Sequence, residues 1–476
     1  MPANGRGQRV GVLITPWIST PVPFFSLECA RMLAQAGQEV TLLWDDRNVF
    51  FNALKRHEID AVRAVVRRLP AEYRVIDVTE RNSAPNVETG FLDLLLYENS
   101  VRQVRGEKAG EEFLRDGADR AAAMREHAGR IHTLLAEEHF DSLFIPGGVW
   151  AVSGLWTNIA AQAPVPFTTF DSGNATLFLG HDGPAAHFPD VPRAWRRLQA
   201  EAAEDERESM RMSAREELQR RMEGRDEFRL QPKPAGADTT ATCDLLVPLN
   251  YRSDTAALCR QRLFPSVTDW LTQLLRWAEQ RGGVTVAIRQ HPCERIPEYR
   301  GSDRWEETLA PFAAMGSRLK FIAAEDPVNT YDLMAAAKAV LPYTSRVGIE
   351  AAMFGKPVIL GAHCYYEDCG FATKAESVPH YFEMAEAALA GQLTPSSEAR
   401  DAAALTYYLA EKCLALRTPF TPQPGDFARW VTIAPDDLWS EPANEDVRTA
   451  LLTREPVPLI CHRRRRAAMT SAPSPC

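Results

Sequence analysis

Short, almost wholly apolar runs alternate with longer helix-forming stretches along this chain, and the alternation occurs twice. In the first half the runs are Arg9–Thr15, Glu39–Trp44, Tyr73–Val78, Ser142–Pro146 and Pro166–Asp171. Helix-forming segments lie between them at Pro23–Ala36, Phe51–Leu69, 107–138 and Gly154–Ala161. In the second half, runs at Asp244–Leu249, Val284–Arg289, Leu319–Ile322, Ala339–Leu341 and Val358–Leu360 alternate with helices at Val267–Gln280, Thr330–Ala336, after Tyr343 and near Tyr381–Ala390. A strand with few polar positions must be covered on both faces, and strand–helix alternation supplies that cover as a parallel sheet between helix layers. The pattern predicts an α/β protein with two Rossmann-like, doubly wound domains facing a cleft. Ligands of such sheets sit outside the carboxyl ends of the strands.

The segment QPKPAGADTTATC from Gln231 reads as a linker, which divides the chain into domains at 1–235 and 240–430. Residues 193–229 carry both charge signs among good helix formers and read as a solvated helix or helix pair. The end of the chain, 440–476, reads as a poorly ordered tail. Its four arginines, 463–466, are then solvated, or make a peripheral contact with an anionic membrane surface.

Several function classes fall away. A net charge of −9 over 476 residues argues against a nucleic-acid partner. No apolar run approaches the roughly 20 residues of a membrane span. No apolar stretch precedes the strand at Val10 as a signal peptide requires, so a cytoplasmic location is expected, with attachment to the inner membrane at most peripheral. The nine cysteines show no paired spacing. Neither Gly-x-Gly-x-x-Gly after the first strand nor a Walker sequence is present, which removes NAD dehydrogenases and P-loop enzymes. No Asp-x-Asp follows a strand, so no cofactor and no metal ion is expected.

Two motifs in the second half bear on chemistry. In PYTSRVGIEAAMFGKPVILG, 342–361, Thr344 and Ser345 open a helix directly after a strand, where unsatisfied backbone donors suit a phosphate. Gly348 would allow close approach of a ligand, and Glu350 could accept from ribose hydroxyls. Ordinary capping by Ser345, with Glu350 as a first-turn acid, explains the same residues. The second motif is Arg289-Gln290-His291-Pro292 at the end of another strand. His291 can donate to a phosphate oxygen, and Pro292 stiffens the turn. Arg289 and Arg346 add positive charge, and Asn250 lies in the polar loop after Asp244–Leu249.

The order strand, His-Pro, strand, helix, strand, Thr-Ser-x-x-Gly-x-Glu-Ala, Gly-Lys-Pro-Val resembles the donor half of GT-B glycosyltransferases. Within these it resembles the capsule polysaccharide synthesis proteins that transfer Kdo from CMP-Kdo. The match covers about 244–380. The resemblance implies that His291, Ser345 and Thr344 contact the nucleotide phosphate and that Glu350 lies near the ribose. It also implies a metal-independent glycosyltransferase. Its donor is a nucleotide sugar, with a CMP-linked acidic sugar favoured. The acceptor is a glycan, a lipid-linked species or a protein. A sugar-nucleotide epimerase or hydrolase on the same scaffold, or a non-catalytic protein that binds a nucleotide sugar or a glycan, are the alternatives.

The acceptor belongs to the first half, whose densest polar stretch is FDSGNATLFLGHDGPAAHFPD from Phe170. Transfer needs a base for the acceptor hydroxyl. Asp171 is the first candidate, with Asp182 and His187 behind it, although Asp-Ser-Gly also reads as a simple turn.

Overall fold

The computed structural model describes residues 7–17, 22–47, 56–69, 73–85, 87–115, 118–173, 176–226, 230–232, 242–418 and 442–471. The chain divides into two compact units. One comprises Met1–Asn99, Asp116–Asp190 and Lys412–Cys476; the other comprises Ser100–Arg115 and Val191–Glu411.

In the first unit the apolar runs become β1 (Arg9–Ile14), β2 (Glu39–Trp44), β3 (Arg74–Asp77), β4 (Ser142–Pro146), β5 (Phe167–Gly173) and β6 (Thr176–His181). Strands β1 to β5 pair in parallel in the order β3-β2-β1-β4-β5, and β6 closes back antiparallel on β5. Val12, Leu13, Ile14, Leu42 and Leu43 are completely buried, as two-sided cover demands. Strand β6 was not expected. It lies inside the polar stretch from Phe170, where buried Leu177 and Leu179 alternate with half-buried Thr176 and Phe178, the alternation of an antiparallel strand at a sheet's flank.

The second unit contains β7 (Leu245–Pro248), β8 (Val286–Arg289), β9 (Leu319–Ile322), β10 (Ala339–Val340), β11 (Ile359–Leu360) and β12 (Thr373–Lys374). The first four form a parallel sheet in the order β10-β7-β8-β9. A parallel bridge between Val340 and Val358 brings up β11, which pairs in parallel with β12. The resulting sequence β9-β8-β7-β10-β11-β12 is the doubly wound order, with the reversal of strand direction of travel between β7 and β10. Trp270, Leu274, Ile288, Trp305 and Tyr381 anchor its core, and the Trp270 indole N–H donates to the buried Tyr381 hydroxyl at 3.0 Å.

Two expectations about organisation are corrected. The charged segment after residue 190 forms helices Asp190–Glu201 and Glu204–Met222, and it belongs to the second unit. Its charges are spent on specific partners: Arg215 meets Asp401 at 3.1 Å, and the Met222 carbonyl accepts from Asn329 at 3.0 Å. Gln231 and Pro232 of the expected linker also bind this unit, through Thr330 and Asn329; residues 233–241 lie outside the described residues.

The end of the chain is likewise structured. After helix Ser397–Lys412, strand β13 (Ala415–Arg417) pairs antiparallel with β6, and helices Pro442–Thr453 and Val457–Ser471 follow. Buried His181 holds them: its Nδ1 lies 2.7 Å from Asp190 and its Nε2 3.2 Å from the Ala450 carbonyl. Asp190 accepts in turn from the Val457 N–H. The arginine run is exposed on the last helix, with Arg463 paired to Glu455 and Arg464 to Asp446. No helix among the described residues is long and apolar enough to cross a membrane.

One acid in the first unit is isolated. Glu28, in helix Val22–Gln35, is 1% exposed, and neither carboxylate oxygen has a hydrogen-bond partner among the described residues. Burial pushes its pKa from 4.5 up to about 8, against the pull of Arg31. The folded value lies above the unfolded one, so stability is fully present below pH 4.5 and is lost as pH rises towards 8. Glu28→Gln should therefore stabilise this unit by on the order of 2–5 kcal/mol at pH 8. The gain should vanish by pH 4.5, as read by urea unfolding at both pH values.

Candidate functional site

The reversal between β7 and β10 leaves neighbouring strands whose chains depart in opposite directions. The second unit has its crevice here. Asn250, just beyond β7 and 6% exposed, spans it. Its Oδ1 accepts from the Thr344 N–H at 3.3 Å and the Thr344 hydroxyl at 3.2 Å. Its Nδ2 donates to Asp254 at 2.9 Å. Asp254 sits on the same loop, and burial raises its pKa.

Thr344 and Ser345 are both buried. They do not begin the helix. It runs Val347–Met353, with Arg346 at the capping position, while Ser345 Oγ accepts from the Val347 N–H at 3.4 Å. The Ser345 carbonyl accepts from the Tyr366 hydroxyl at 2.6 Å. This ring also explains Gly348. A Cβ there would lie 2.3 Å from the Tyr366 hydroxyl and 3.1 Å from Pro342 Cγ. The glycine makes room for this tyrosine.

His291 follows β8, half-buried, and caps the 3₁₀ turn Pro292–Arg295. Its Nδ1 accepts from the Cys293 N–H at 3.2 Å, so the neutral ring carries its proton on Nε2. Pro292, buried at the start of that turn, fixes the direction of the ring. One ring face meets Tyr251 edge-on at 5.5 Å between centroids, and Tyr251 meets Tyr299 in the same way. Burial pushes the His291 pKa down to about 4, with the charges of Arg346, Arg221 and Arg289 adding to the effect. Near neutral pH, His291 is therefore a neutral N–H donor.

The arginines divide by role. Arg289 is 2% exposed and donates to the Ala323 carbonyl, and burial lowers its pKa to about 10; it ties β8 to the neighbouring loop. Arg346 keeps 36% of its side chain exposed and pairs through Nη1 with Glu411. Burial works against its charge, but Glu411 and Glu350 more than compensate. Glu350 itself is buried, with Arg221 Nε 3.6 Å from one oxygen and the Tyr331 hydroxyl 3.1 Å from the other. Sequence reasoning missed Arg221, Glu411 and Tyr331. Arg221 is one arginine among many on a charged helix, and the helix carrying Glu411 had not been assigned.

In the first unit, Asp171 stands one residue beyond the parallel pairing of Pro146 with Phe170. A Cβ at Gly147 would lie 4.0 Å from its Oδ1. Asp171 thus shares the carboxyl end of β4 and β5 with the Gly147-Gly148 turn. Asp182 lies at the opposite end of β5. It accepts from the Phe167 N–H and pairs with Arg454 at 2.5 Å, which separates it from Asp171 and corrects their grouping. His187 ends the 3₁₀ turn Ala185–His187. Pro184, just before that turn, would be 3.1 Å from a Cβ at Gly148. Asn174, in the polar stretch, lies outside the described residues. Among the described residues, no three His, Cys, Asp or Glu side chains group as a metal site requires.

Two measurements test this geometry. The His291 imidazole, followed by NMR and assigned with His291→Gln, should titrate near pH 4 rather than 6.5. Because the folded value lies below the unfolded one, its contribution to stability is present above pH 6.5 and falls as pH drops towards 4. Gly348→Ala should cost about 1–3 kcal/mol by overpacking, and adding Tyr366→Phe should restore part of it in urea unfolding.

No protein-family model and no curated protein matches the sequence. Among solved structures, the chain is similar to the Thermosulfurimonas dismutans KpsC beta Kdo 2,4 transferase. The two share 14% identity, with 56% of this chain and 80% of that one covered and a TM-score of 0.34. The beta Kdo 2,7 transferase of the same KpsC aligns at 17% identity, covering 52% and 74%, with a TM-score of 0.32. A Methanocaldococcus jannaschii UDP-GlcNAc 2-epimerase, in complex with UDP-GlcNAc and UDP, aligns at 11% identity over 85% and 99%, with a TM-score of 0.28.

Proposed function

We propose that this protein is a sugar-nucleotide enzyme of the GT-B kind, a glycosyltransferase that seats its donor's phosphate at the β7–β10 reversal. One observation carries the reading. A neutral His291, its Nδ1 occupied and its Nε2–H left to donate, stands within the field of Arg346 at the end of the same sheet. A leaving phosphate gathers charge as the bond to the sugar breaks, and fixed donors there lower the barrier. In transfer, the acceptor oxygen forms a bond to the anomeric carbon. The nucleotide leaves with the electron pair of the broken bond, and the acceptor proton passes to a base. Asp171 is the base proposed, at the carboxyl end of the first unit's sheet beside Gly147. Glu350 is proposed to lie near the ribose, although its carboxylate already meets Arg221 and Tyr331. The donor proposed is a CMP-linked acidic sugar, and the acceptor a surface glycan or glycoconjugate.

Thermal-shift titration with CMP, CDP, UDP, GDP and dTDP tests the seat. A ligand specific to the native state adds about 2.7 kcal/mol of stability at a hundred times its Kd. One nucleotide should stabilise the wild type in this way and fail with His291→Ala. Absence of any response from the folded wild type would refute the seat. Asp171→Asn should keep that response and lose transfer. Turnover of a nucleotide sugar without any acceptor would instead favour an epimerase or hydrolase.

A further inference from the structure

We propose that Glu411 is a positioning residue that aims Arg346 at the donor phosphate, an inference that rests on the seat just proposed. Glu411 lies at the end of helix Ser397–Lys412, with 11% of its side chain exposed. One carboxylate oxygen takes Arg346 Nη1, and the other lies 3.3 Å from Arg221 Nη1. Arg221, only 12% exposed, stands 3.6 Å from Glu350 and 3.8 Å from Asp226 through its Nε. Tyr331 donates to the remaining Glu350 oxygen. The charges therefore alternate from the crevice inward: Arg346, Glu411, Arg221, Glu350. Glu411 cannot swing with Arg346, because its second oxygen is committed to a buried guanidinium.

The atom that Glu411 occupies is the informative detail. A guanidinium offers anions a two-pronged edge formed by Nε and the Nη on the same side, and a carboxylate on the far Nη leaves that edge open. Arg346 makes its ion pair through Nη1, and neither its Nε nor its Nη2 makes a hydrogen bond among the described residues. A free arginine would lose considerable side-chain freedom on gripping a phosphate, and one already held loses less. Glu411 also lowers the local positive charge, which by itself weakens anion binding. The two effects have opposite signs. The inference is that orientation outweighs neutralisation.

The sign makes the test decisive. CMP and UDP are titrated calorimetrically into the wild type, Glu411→Gln, Arg346→Ala and the double variant, with folding checked by circular dichroism. Glu411→Gln should bind the responding nucleotide about tenfold or more weakly. The double variant should match Arg346→Ala alone, because Glu411 acts only through Arg346. A purely structural role would give additive losses, and simple neutralisation would give tighter binding in Glu411→Gln; either result overturns the inference. Glu411→Gln strands charge on buried Arg221, so Glu411→Asp provides a second arm that keeps the charge and shortens the reach. A folded Asp variant with wild-type affinity also overturns the inference, and an intermediate loss supports it. If the wild type binds neither of these nor any other nucleotide of the thermal-shift series, the phosphate seat fails together with this inference. Wild-type binding that survives in Glu411→Gln removes the inference alone.

Discussion

The candidate site depends on one side chain that satisfies donors and acceptors across a gap in a sheet. Where β7 and β10 send their chains apart, the loops beyond them have no strand pairing to fix their spacing. Asn250 supplies it with a single amide, accepting from Thr344 on one side and donating to Asp254 on the other. An aspartate there could accept but not donate, and a leucine could do neither, leaving buried Thr344 donors unmatched. From Thr344 the constraint runs along the chain to Ser345, whose carbonyl is held from the far side by Tyr366. Arg346 is the next residue, so its backbone is fixed from both flanks before its side chain meets Glu411.

Strands β1 to β5 and β7 to β11 were legible in the sequence because parallel sheets bury both faces, and such strands appear as apolar runs. Their doubly wound arrangement was legible from alternation. What stayed hidden was information carried by charge. Residues 193–229 have the composition of a solvated helix, yet Arg211, Arg215 and Arg221 each face particular acids. Composition counts charges without pairing them, so the segment was placed in the wrong unit. The same blindness affected the end of the chain. Four consecutive arginines suggested a tail, but they follow Leu459, Ile460 and Cys461, all buried, on a helix whose start is tied to Asp190. Loop residues were legible as types and not as positions. Asp171 and Asp182 lie in one short stretch, and the antiparallel return of β6 carries them to opposite ends of β5.

His291 shows why a motif and its chemistry are separable. The sequence places a histidine after a strand and a proline after the histidine, and both readings of that pair, turn and ligand donor, are physically sound. The structure lets them hold together. The turn uses Nδ1 to satisfy the Cys293 N–H, and this use of one ring nitrogen is what leaves the proton on the other. Burial then keeps the ring neutral, and the neighbouring arginine charges add to the effect, because a second proton would add charge beside charge. A structural hydrogen bond thereby sets the chemical state of a candidate functional atom.

The same logic extends to the charged residues behind it. A site that attracted phosphate by net charge alone would gather unpaired arginines, and its pull on any anion would weaken as ionic strength rises. Here Arg346 and Arg221 are matched by Glu411 and Glu350, within a chain whose net charge is −9. What remains at the crevice is a set of directed N–H groups: one on a neutral imidazole and an open edge on a paired guanidinium. Directed donors discriminate by the positions of oxygen atoms, whereas bare charge discriminates only by valence. Under the phosphate seat proposed above, pairing the arginines in advance gives up some attraction and gains geometry in return.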